Sequence, residues 1–119
     1  MSVCDNLKRG TVELVLLSLL QGQDMYGYQL SQEMALRSKG RFTLQEGSLY
    51  PILYRLSDKG YLSERKELVN RRRTRVYYHL EPEGEAYLAQ IRKEYFDINR
   101  GILDLLRSSE GGLKEDEIL

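Results

Sequence analysis

The chain has 119 residues, with 18 Lys and Arg against 18 Asp and Glu, one Cys, one His and no Trp. This length suits one domain of ordinary size, and 41% hydrophobic residues are too many for a disordered chain. One cysteine excludes an intrachain disulfide, and one histidine excludes a zinc site of the Cys/His type.

The sequence shows no signal for a membrane, a leader or a cofactor. The longest apolar stretch, Val12 to Leu20, has nine residues and includes Glu13, whereas a membrane span needs about 20. The first ten residues lack the order of charge, apolar run and cleavage site of a signal peptide. No glycine-rich phosphate-binding motif occurs. We therefore expect a cytoplasmic protein without metal or cofactor.

The first predicted helix covers residues 8–21. Its apolar residues follow the spacing of one buried helical face; they are Val12, Val15, Leu16, Leu19 and Leu20. Leu17 widens this face, so the helix is expected to lie at the centre of the core. Gly22 stands where a helix C-cap belongs.

Two further short helices are expected before residue 60. Asp24 is the predicted N-cap of the second helix, which should run from about 26 to 38. The third should begin near Gly47 or Ser48, because Pro51 is tolerated in the first helical turn. Gly60 is its predicted stop.

Residues 61–80 favour a β-hairpin, because two segments rich in Tyr, Val, Leu and Thr flank the basic sequence Asn-Arg-Arg-Arg. From Pro82 a long helix is predicted, with apolar residues spaced by 3, 4, 3, 4 and 3. These seam residues are Leu88, Ile91, Tyr95, Ile98, Ile102 and Leu105. Such a heptad pattern favours a homodimer through this helix; packing on its own domain is the alternative.

These patterns predict three segments: a DNA-binding domain in 1–80, a dimerisation helix in 81–108 and an acidic flexible tail in 109–119. The balance of basic and acidic residues also differs between the predicted DNA-binding domain and the segments that follow it. Residues 37–80 hold eleven Lys and Arg against four Asp and Glu, whereas residues 81–119 hold five against ten. The basic middle could meet an anionic polymer, or could be a solvated face.

The predicted order of elements is three helices, a hairpin and a long helix. This is the order of a winged helix-turn-helix domain, so the predicted fold class is α+β, mainly α. In that arrangement the third helix enters the major groove of DNA, and the hairpin lies along the DNA backbone or the minor groove. The residues expected at DNA are Ser48, Tyr50, Tyr54 and Arg55 on the helix and Arg71, Arg72 and Arg73 at the hairpin tip. Arginine suits phosphate because its guanidinium donates hydrogen bonds in pairs.

Several segments, in this order and at this spacing, resemble the PadR-type transcriptional regulators. They are GTVELVLLSLL, MYGYQL, EGSLYPILYRLSDKGYL, RRRTRVYYHL and EPEGEAYL, and the resemblance extends from about Leu7 to Leu106. It is to the short members, which have a single C-terminal helix. The resemblance implies a dimeric repressor that binds a palindromic operator in double-stranded DNA and is released by an inducer.

The resemblance also implies site residues. It places Ser48, Tyr50, Pro51 and Tyr54 at DNA, with Tyr26 supporting or touching the backbone. Short members that sense drugs are described as stacking them on tryptophans at the dimer interface. This chain has no Trp, so a small-molecule inducer at that interface would meet Tyr87, Tyr95 and Phe96 instead.

Several assignments have a second interpretation. Tyr50 could be partly structural, Arg55 could pair with Asp58 or Glu46, and Lys8 could touch phosphate or only be exposed. His79 is expected to pack or cap rather than to bind a ligand. For the whole chain, the alternative is a winged-helix module for protein contacts without specific DNA binding. An enzyme is not expected, because no set of residues suits acid-base catalysis.

Overall fold

The computed structural model describes Lys8 and residues 10–108. The elements follow the predicted order, with one short strand added before the second helix. Their bounds are α1 Val12–Leu20, β1 Met25–Tyr26, α2 Gly27–Arg37, α3 Glu46–Asp58, β2 Leu62–Asn70, β3 Arg73–Leu80 and α4 Pro82–Ser108. The fold is the predicted, mainly helical α+β class with a winged helix-turn-helix arrangement.

The core is built from apolar side chains of the three short helices and the sheet. Leu16 and Leu17 of α1 are fully buried, which confirms the central place predicted for this helix. The other side chains with almost no exposed surface are Met25, Leu30, Met34, Leu49, Leu53, Leu56, Tyr78 and Leu88. Burial of each Leu or Met contributes about 1.5–3 kcal/mol relative to an exposed side chain.

The hairpin forms as predicted, and we call β2 and β3 together the wing. The strands pair antiparallel from Leu62 opposite Leu80 to Asn70 opposite Arg73, with an irregularity between Leu68 and Asn70. The sheet order is β1-β3-β2. Two residues are too few to show strand periodicity, so β1 gave no signal in the sequence.

The N-cap predicted at Asp24 is wrong. The residue before α2 is Tyr26, in an extended conformation and without a side-chain capping hydrogen bond. The reason is the added strand: Met25 and Tyr26 pair with Tyr78 and Tyr77 of β3 before the helix begins. Asp24 therefore precedes a strand and makes other contacts, described below.

The helix α3 begins at Glu46, slightly earlier than the predicted Gly47 or Ser48, and ends before Gly60 as predicted. Pro51 therefore lies inside the helix rather than in its first turn. Proline has no N–H to donate to the carbonyl four residues earlier, so the first turn of α3 lacks one helical hydrogen bond.

The chain divides into two compact units, one ending at Leu88 and the other beginning at Ala89. The first turns of α4 belong to the first unit because Gly84 packs closely there. A Cβ atom at Gly84 would lie 2.2 Å from the carbonyl oxygen of Tyr61. This compact unit thus includes the start of α4, and the DNA-binding domain expected in 1–80 stays a prediction. The predicted acidic tail, 109–119, lies outside the described residues.

Between residues 10 and 108, the described helices include none with the length and apolarity that crossing a bilayer requires.

Replacing Gly84 by Ala should destabilise the fold, because the added Cβ would overlap the Tyr61 carbonyl and lie 2.7 Å from Cδ1 of Leu80. The expected loss is about 1–3 kcal/mol in the free energy of unfolding. The matched control is Gly101→Ala in the same helix, where no atom of the described chain lies within 4 Å of an added Cβ. That change should stabilise by about 0.5–1 kcal/mol.

Both variants are measured by urea unfolding followed by circular dichroism, at one protein concentration. Equal stability of Gly84→Ala and the unmodified chain would contradict the close packing of α4 on Tyr61.

Candidate nucleic-acid interface

The helix α3 buries one face and exposes the other. Leu49, Leu53 and Leu56 are fully buried. Four of the residues expected at DNA, Ser48, Pro51, Tyr54 and Arg55, are exposed on the remaining surface. The spacing of the leucines therefore orients the polar and aromatic side chains toward solvent, where a partner can reach them.

Tyr50 is half-buried and contributes to the structure of the helix start. Its hydroxyl donates to Oε1 of Glu46, and this bond, together with burial, raises the pKa of Tyr50 to about 12. A Cβ at Gly27 would lie 2.7 Å from the same hydroxyl. The ring of Tyr50 therefore packs on the first residue of α2, as the structural interpretation of this residue expected.

The tip of the wing exposes its arginines. Arg71 and Arg72 form the turn, and Arg73 begins β3. The backbone N–H of Arg72 donates to Oδ1 of Asn70 at 2.9 Å. An asparagine side chain that bonds to the backbone two residues later is a common way to form a turn, so Asn70 shapes the tip that presents three guanidinium groups.

Aromatic and basic side chains alternate across the sheet. The guanidinium of Arg75 lies 4.4 Å from the ring centre of Tyr26, and that ring meets Tyr77 edge-on at 5.4 Å. Arg65 lies 5.1 Å from the ring centre of Tyr77. Such contacts are weakly attractive at exposed sites. Tyr26 therefore supports the wing strands from β1, rather than starting the second helix.

A cleft of about 730 Å³ lies between α3 and the wing. Four of the predicted site residues line it: Tyr26, Tyr50, Tyr54 and Arg73. Ser48, Pro51, Arg71 and Arg72 are exposed but are not part of its lining. The cleft combines aromatic rings with charged groups of both signs, because Glu46 and Glu64 line it together with the basic side chains.

The lining includes residues that the sequence pattern did not assign to the site; they are Gly27, Tyr28, Glu46, Glu64, Lys66, Thr74, Arg75, Val76 and Tyr78. For two of these residues, the position in the sequence relative to a predicted site residue could have indicated a place in the site. Tyr28 lies two residues after Tyr26 in the MYGY segment, and Arg75 lies two residues after Arg73 on the same strand. The place of the acidic residues in the cleft depends on the tertiary fold, which the sequence pattern does not show.

Two predicted basic contacts have partners within the chain. Nζ of Lys8 donates to the carbonyl of Thr43 at 3.1 Å. Arg55 forms an ion pair with Glu13 of α1 at 3.2 Å, not with the expected Asp58 or Glu46. Both interactions compete with a phosphate for these side chains.

Asp24 links the loop before β1 to both strands of the wing. Its Oδ1 lies 2.7 Å from Nδ1 of His79, and its Oδ2 accepts from Arg65 at 2.6 Å. The hydrogen bond to His79 is the main cause that lowers the pKa of Asp24. The same bond raises the pKa of His79. His79 is thus an exposed partner of Asp24 that forms an ion pair when its imidazole is protonated, and the expectation that it packs or caps is wrong.

The seam predicted along α4 differs in exposure between its first residue and the rest. Leu88 is buried in the core of the first unit, so its surface is not accessible to a second chain. Ile91 is half-buried. The remaining seam residues, Tyr95, Ile98, Ile102 and Leu105, are exposed, with Ile98 at 64%. The apolar surface open to a partner therefore begins after Leu88.

Among Lys8 and residues 10–108, no group of three or more His, Cys, Asp or Glu side chains could hold a metal ion.

Comparison with known proteins identifies the relatives of this chain. Residues 16–90 match the family described as the transcriptional regulator PadR-like family. The transcriptional regulator Rv3488 of Mycobacterium tuberculosis is 31% identical over 96 residues, which cover 81% of this chain and 86% of that protein.

Solved structures share the fold. A PadR family transcriptional regulator from Eggerthella lenta is 27% identical with a TM-score of 0.78, over 87% of this chain and 88% of that chain. Bacillus subtilis PadR, solved in complex with operator DNA, is 20% identical with a TM-score of 0.63, over 67% of this chain and 44% of that chain. At this identity the second likeness shows the fold alone.

The ion pair between Asp24 and His79 predicts a pH dependence of stability. Because the folded pKa of His79 is raised, its contribution is complete below about 6.5, the ordinary histidine value, and is lost as pH rises through the folded pKa. Because the pKa of Asp24 is lowered, its contribution is lost only at acid pH. The effect should stay below about 1 kcal/mol, since both groups are partly solvated.

The direct measurement is an NMR titration of the single imidazole. In Asp24→Asn, the pKa of His79 should fall toward the ordinary value. In Glu67→Gln, which changes a carboxylate bound to Arg65 but not to His79, it should stay raised. An unchanged histidine pKa in Asp24→Asn would contradict the assigned cause.

Proposed function

The chain belongs to the PadR-like family of transcriptional regulators, and from this premise we propose that it acts as a homodimeric repressor on an inverted-repeat operator. Membership makes the chain a DNA-binding transcriptional regulator with a winged helix-turn-helix domain, in a family that is not enzymatic. The operator, the dimer, the repression and the inducer are the proposed parts. The proposed place of action is the bacterial nucleoid in the cytoplasm.

The observation that carries the proposal is the arrangement of α3 beside the wing. The exposed face of α3 offers Ser48 and Tyr54, and the wing tip offers Arg71, Arg72 and Arg73. In winged helix-turn-helix proteins, such a helix reads base edges in the major groove. Phosphate contacts fix the register and supply much of the affinity. The complex of B. subtilis PadR with operator DNA supports this use of the shared fold.

The proposed dimer rests on the apolar residues of α4 beyond Leu88. Their spacing repeats every 3.5 residues on average, which is the period of helices that pack along a seam. Tyr95, Ile98, Ile102 and Leu105 are exposed in the single chain, as are Phe96 and Leu106, which widen the apolar face beside the seam. A second copy would bury this surface, and an inverted repeat would match the two-fold symmetry of the dimer.

The proposed inducer site lies at the same dimer interface. Tyr95 and Phe96 meet edge-on, with ring centres 5.5 Å apart, and Arg92 lies 5.7 Å from the ring centre of Phe96. These rings suit a flat aromatic or amphipathic molecule. Tyr87 is already engaged, because it stacks on Tyr61 and bonds to Glu13. The inducer surface we propose therefore consists of Tyr95 and Phe96 without Tyr87.

Loss of the wing arginines should flatten the salt dependence of DNA binding. With about four phosphate contacts per subunit, the plot of log affinity against log salt should have a slope of about −7 for a dimer. Replacing Arg71, Arg72 and Arg73 together by Ala should reduce the slope by about 0.9 for each phosphate that is no longer neutralised. Fluorescence anisotropy between about 50 and 200 mM salt measures this change.

The matched control replaces Lys93, Arg100 and Arg107 of α4 by Ala, which removes the same net charge outside the wing. Its slope should equal that of the unmodified chain. If the two triple variants lowered the slope equally, the wing would have no special part in phosphate binding.

A charge in the exposed seam should separate the dimer without unfolding the chain. Ile98→Glu adds a carboxylate that is solvated in the monomer and would be buried without a partner in the dimer. We expect the dissociation constant of the dimer to rise at least about a hundredfold, which corresponds to roughly 3 kcal/mol in the free energy of association. Sedimentation equilibrium measures it.

Gln90→Glu is the control for this substitution, since it adds the same charge to α4 off the seam. A dimer that tolerates both changes equally would place the interface on another surface.

A further inference from the structure

Glu13 of α1 lies between two other helices and contacts both with its carboxylate. Oε2 accepts from Nη2 of Arg55 on α3 at 3.2 Å. Oε1 accepts from the hydroxyl of Tyr87 on α4 at 2.7 Å. One side chain thus joins the proposed recognition helix to the first turns of the proposed dimerisation helix. We call these three residues the Glu13 bridge.

The Tyr87 end of the Glu13 bridge is held from a second side. The rings of Tyr87 and Tyr61 stack with centres 4.5 Å apart and planes 10° from parallel. The carbonyl of Tyr61 accepts the backbone N–H of Glu81 at 3.0 Å, just before α4 begins. Tyr87 therefore has a fixed ring orientation, and its hydroxyl can define where the carboxylate of Glu13 lies.

The contribution of the Glu13 bridge to stability should be small. The side chain of Glu13 is 23% exposed and that of Arg55 is 53% exposed. Exposed ion pairs contribute little to the stability of a fold. Hydrogen bonds to charged groups nevertheless have defined geometry, so the Glu13 bridge can favour one orientation of α3 although it adds little to the stability of the fold.

We propose that Glu13 is a positioning residue that sets which spacing between operator half-sites the dimer accepts. The proposal rests on the proposed function. A dimer reads two half-sites whose separation must match that of its two recognition helices. The buried leucines of α3 and the Tyr61 junction hold this helix in the core, and the Glu13 bridge narrows the range of orientations that remains. Loss of the Glu13 bridge widens that range, so the dimer tolerates other spacings.

The same geometry assigns Arg55 to the Glu13 bridge instead of to a phosphate. If Arg55 were mainly a DNA contact, removing Glu13 would free a cation and steepen the salt dependence. If Arg55 instead serves the Glu13 bridge, removing Glu13 changes the preference for a spacer length and leaves the salt dependence of DNA binding unchanged. The two roles therefore predict different readouts for one substitution.

The experiment uses duplexes with the same two half-sites and a spacer of the selected length, or one base pair shorter or longer. The quantity measured is the ratio of affinities between the best spacer and the altered ones. We expect Glu13→Ala to reduce this ratio about tenfold. Affinity for a single half-site should stay within about twofold of the unmodified value. The salt slope should change by less than the roughly 0.9 per subunit that one added phosphate contact would contribute.

Two milder variants keep the test valid if Glu13→Ala unfolds. Tyr87→Phe removes one hydroxyl and retains the stacked ring, and should lower the ratio in the same direction. Glu13→Gln should restore part of the preference, because its amide oxygen can still accept from Tyr87. Circular dichroism establishes that each variant is folded.

The matched control is Glu33→Ala. Glu33 pairs with Arg37 at 3.1 Å, with exposures of 26% and 53% that resemble those of Glu13 and Arg55, but this pair lies within α2. Its removal should leave the spacing ratio unchanged.

Three results would overturn the inference. Equal spacer affinity ratios in Glu13→Ala, Glu33→Ala and the unmodified chain would show that Glu13 has no part in the choice of spacing. A steeper salt slope in Glu13→Ala, with the ratio retained, would make Arg55 a DNA contact. If the unmodified chain bound no inverted repeat at any spacing, the proposed function itself would fail, and this inference would fail with it.

Discussion

The close packing of α4 against Tyr61 is the constraint that holds the helices and the wing in one arrangement. The N–H of Tyr61 donates to the carbonyl of Leu56 at 3.0 Å, and its own carbonyl accepts from Glu81. One residue thus joins the end of α3, the start of the wing and the start of α4. This junction requires Gly84, because a Cβ there would overlap the Tyr61 carbonyl. The helix α3 and the first turns of α4 are therefore connected within one compact unit.

The ion-pair partners of the basic side chains determine which of their charges a ligand can reach. The basic excess of residues 37–80 includes Arg37, Arg55 and Arg65, each of which forms an ion pair with a carboxylate. The three arginines at the wing tip are exposed, with Arg71 and Arg72 in the turn and Arg73 at the start of β3. A count of charges predicts an anionic partner, but the fold determines which arginines can reach it. The described contacts thus distinguish arginines that have a carboxylate partner from the exposed arginines of the wing tip.

Much of the fold could be predicted because local patterns determine it. The leucine spacing of α1 and α3, the basic hairpin tip and the start of α4 at Pro82 all follow from short-range rules. The errors arise from long-range contacts: Asp24 looked like a helix cap because the two-residue strand β1 has no pattern of its own. The partner of Arg55 lies 42 residues away, and the burial of Leu88 depends on packing that heptad spacing does not reveal.

Selection of bound duplexes from a random pool would show whether each chain supplies half of a symmetric DNA-binding dimer. Such a dimer should enrich an inverted repeat whose half-sites lie about one helical turn apart, about 10–10.5 base pairs between centres. Enrichment of a single asymmetric site, or of no sequence at all, would contradict the proposed dimeric regulator.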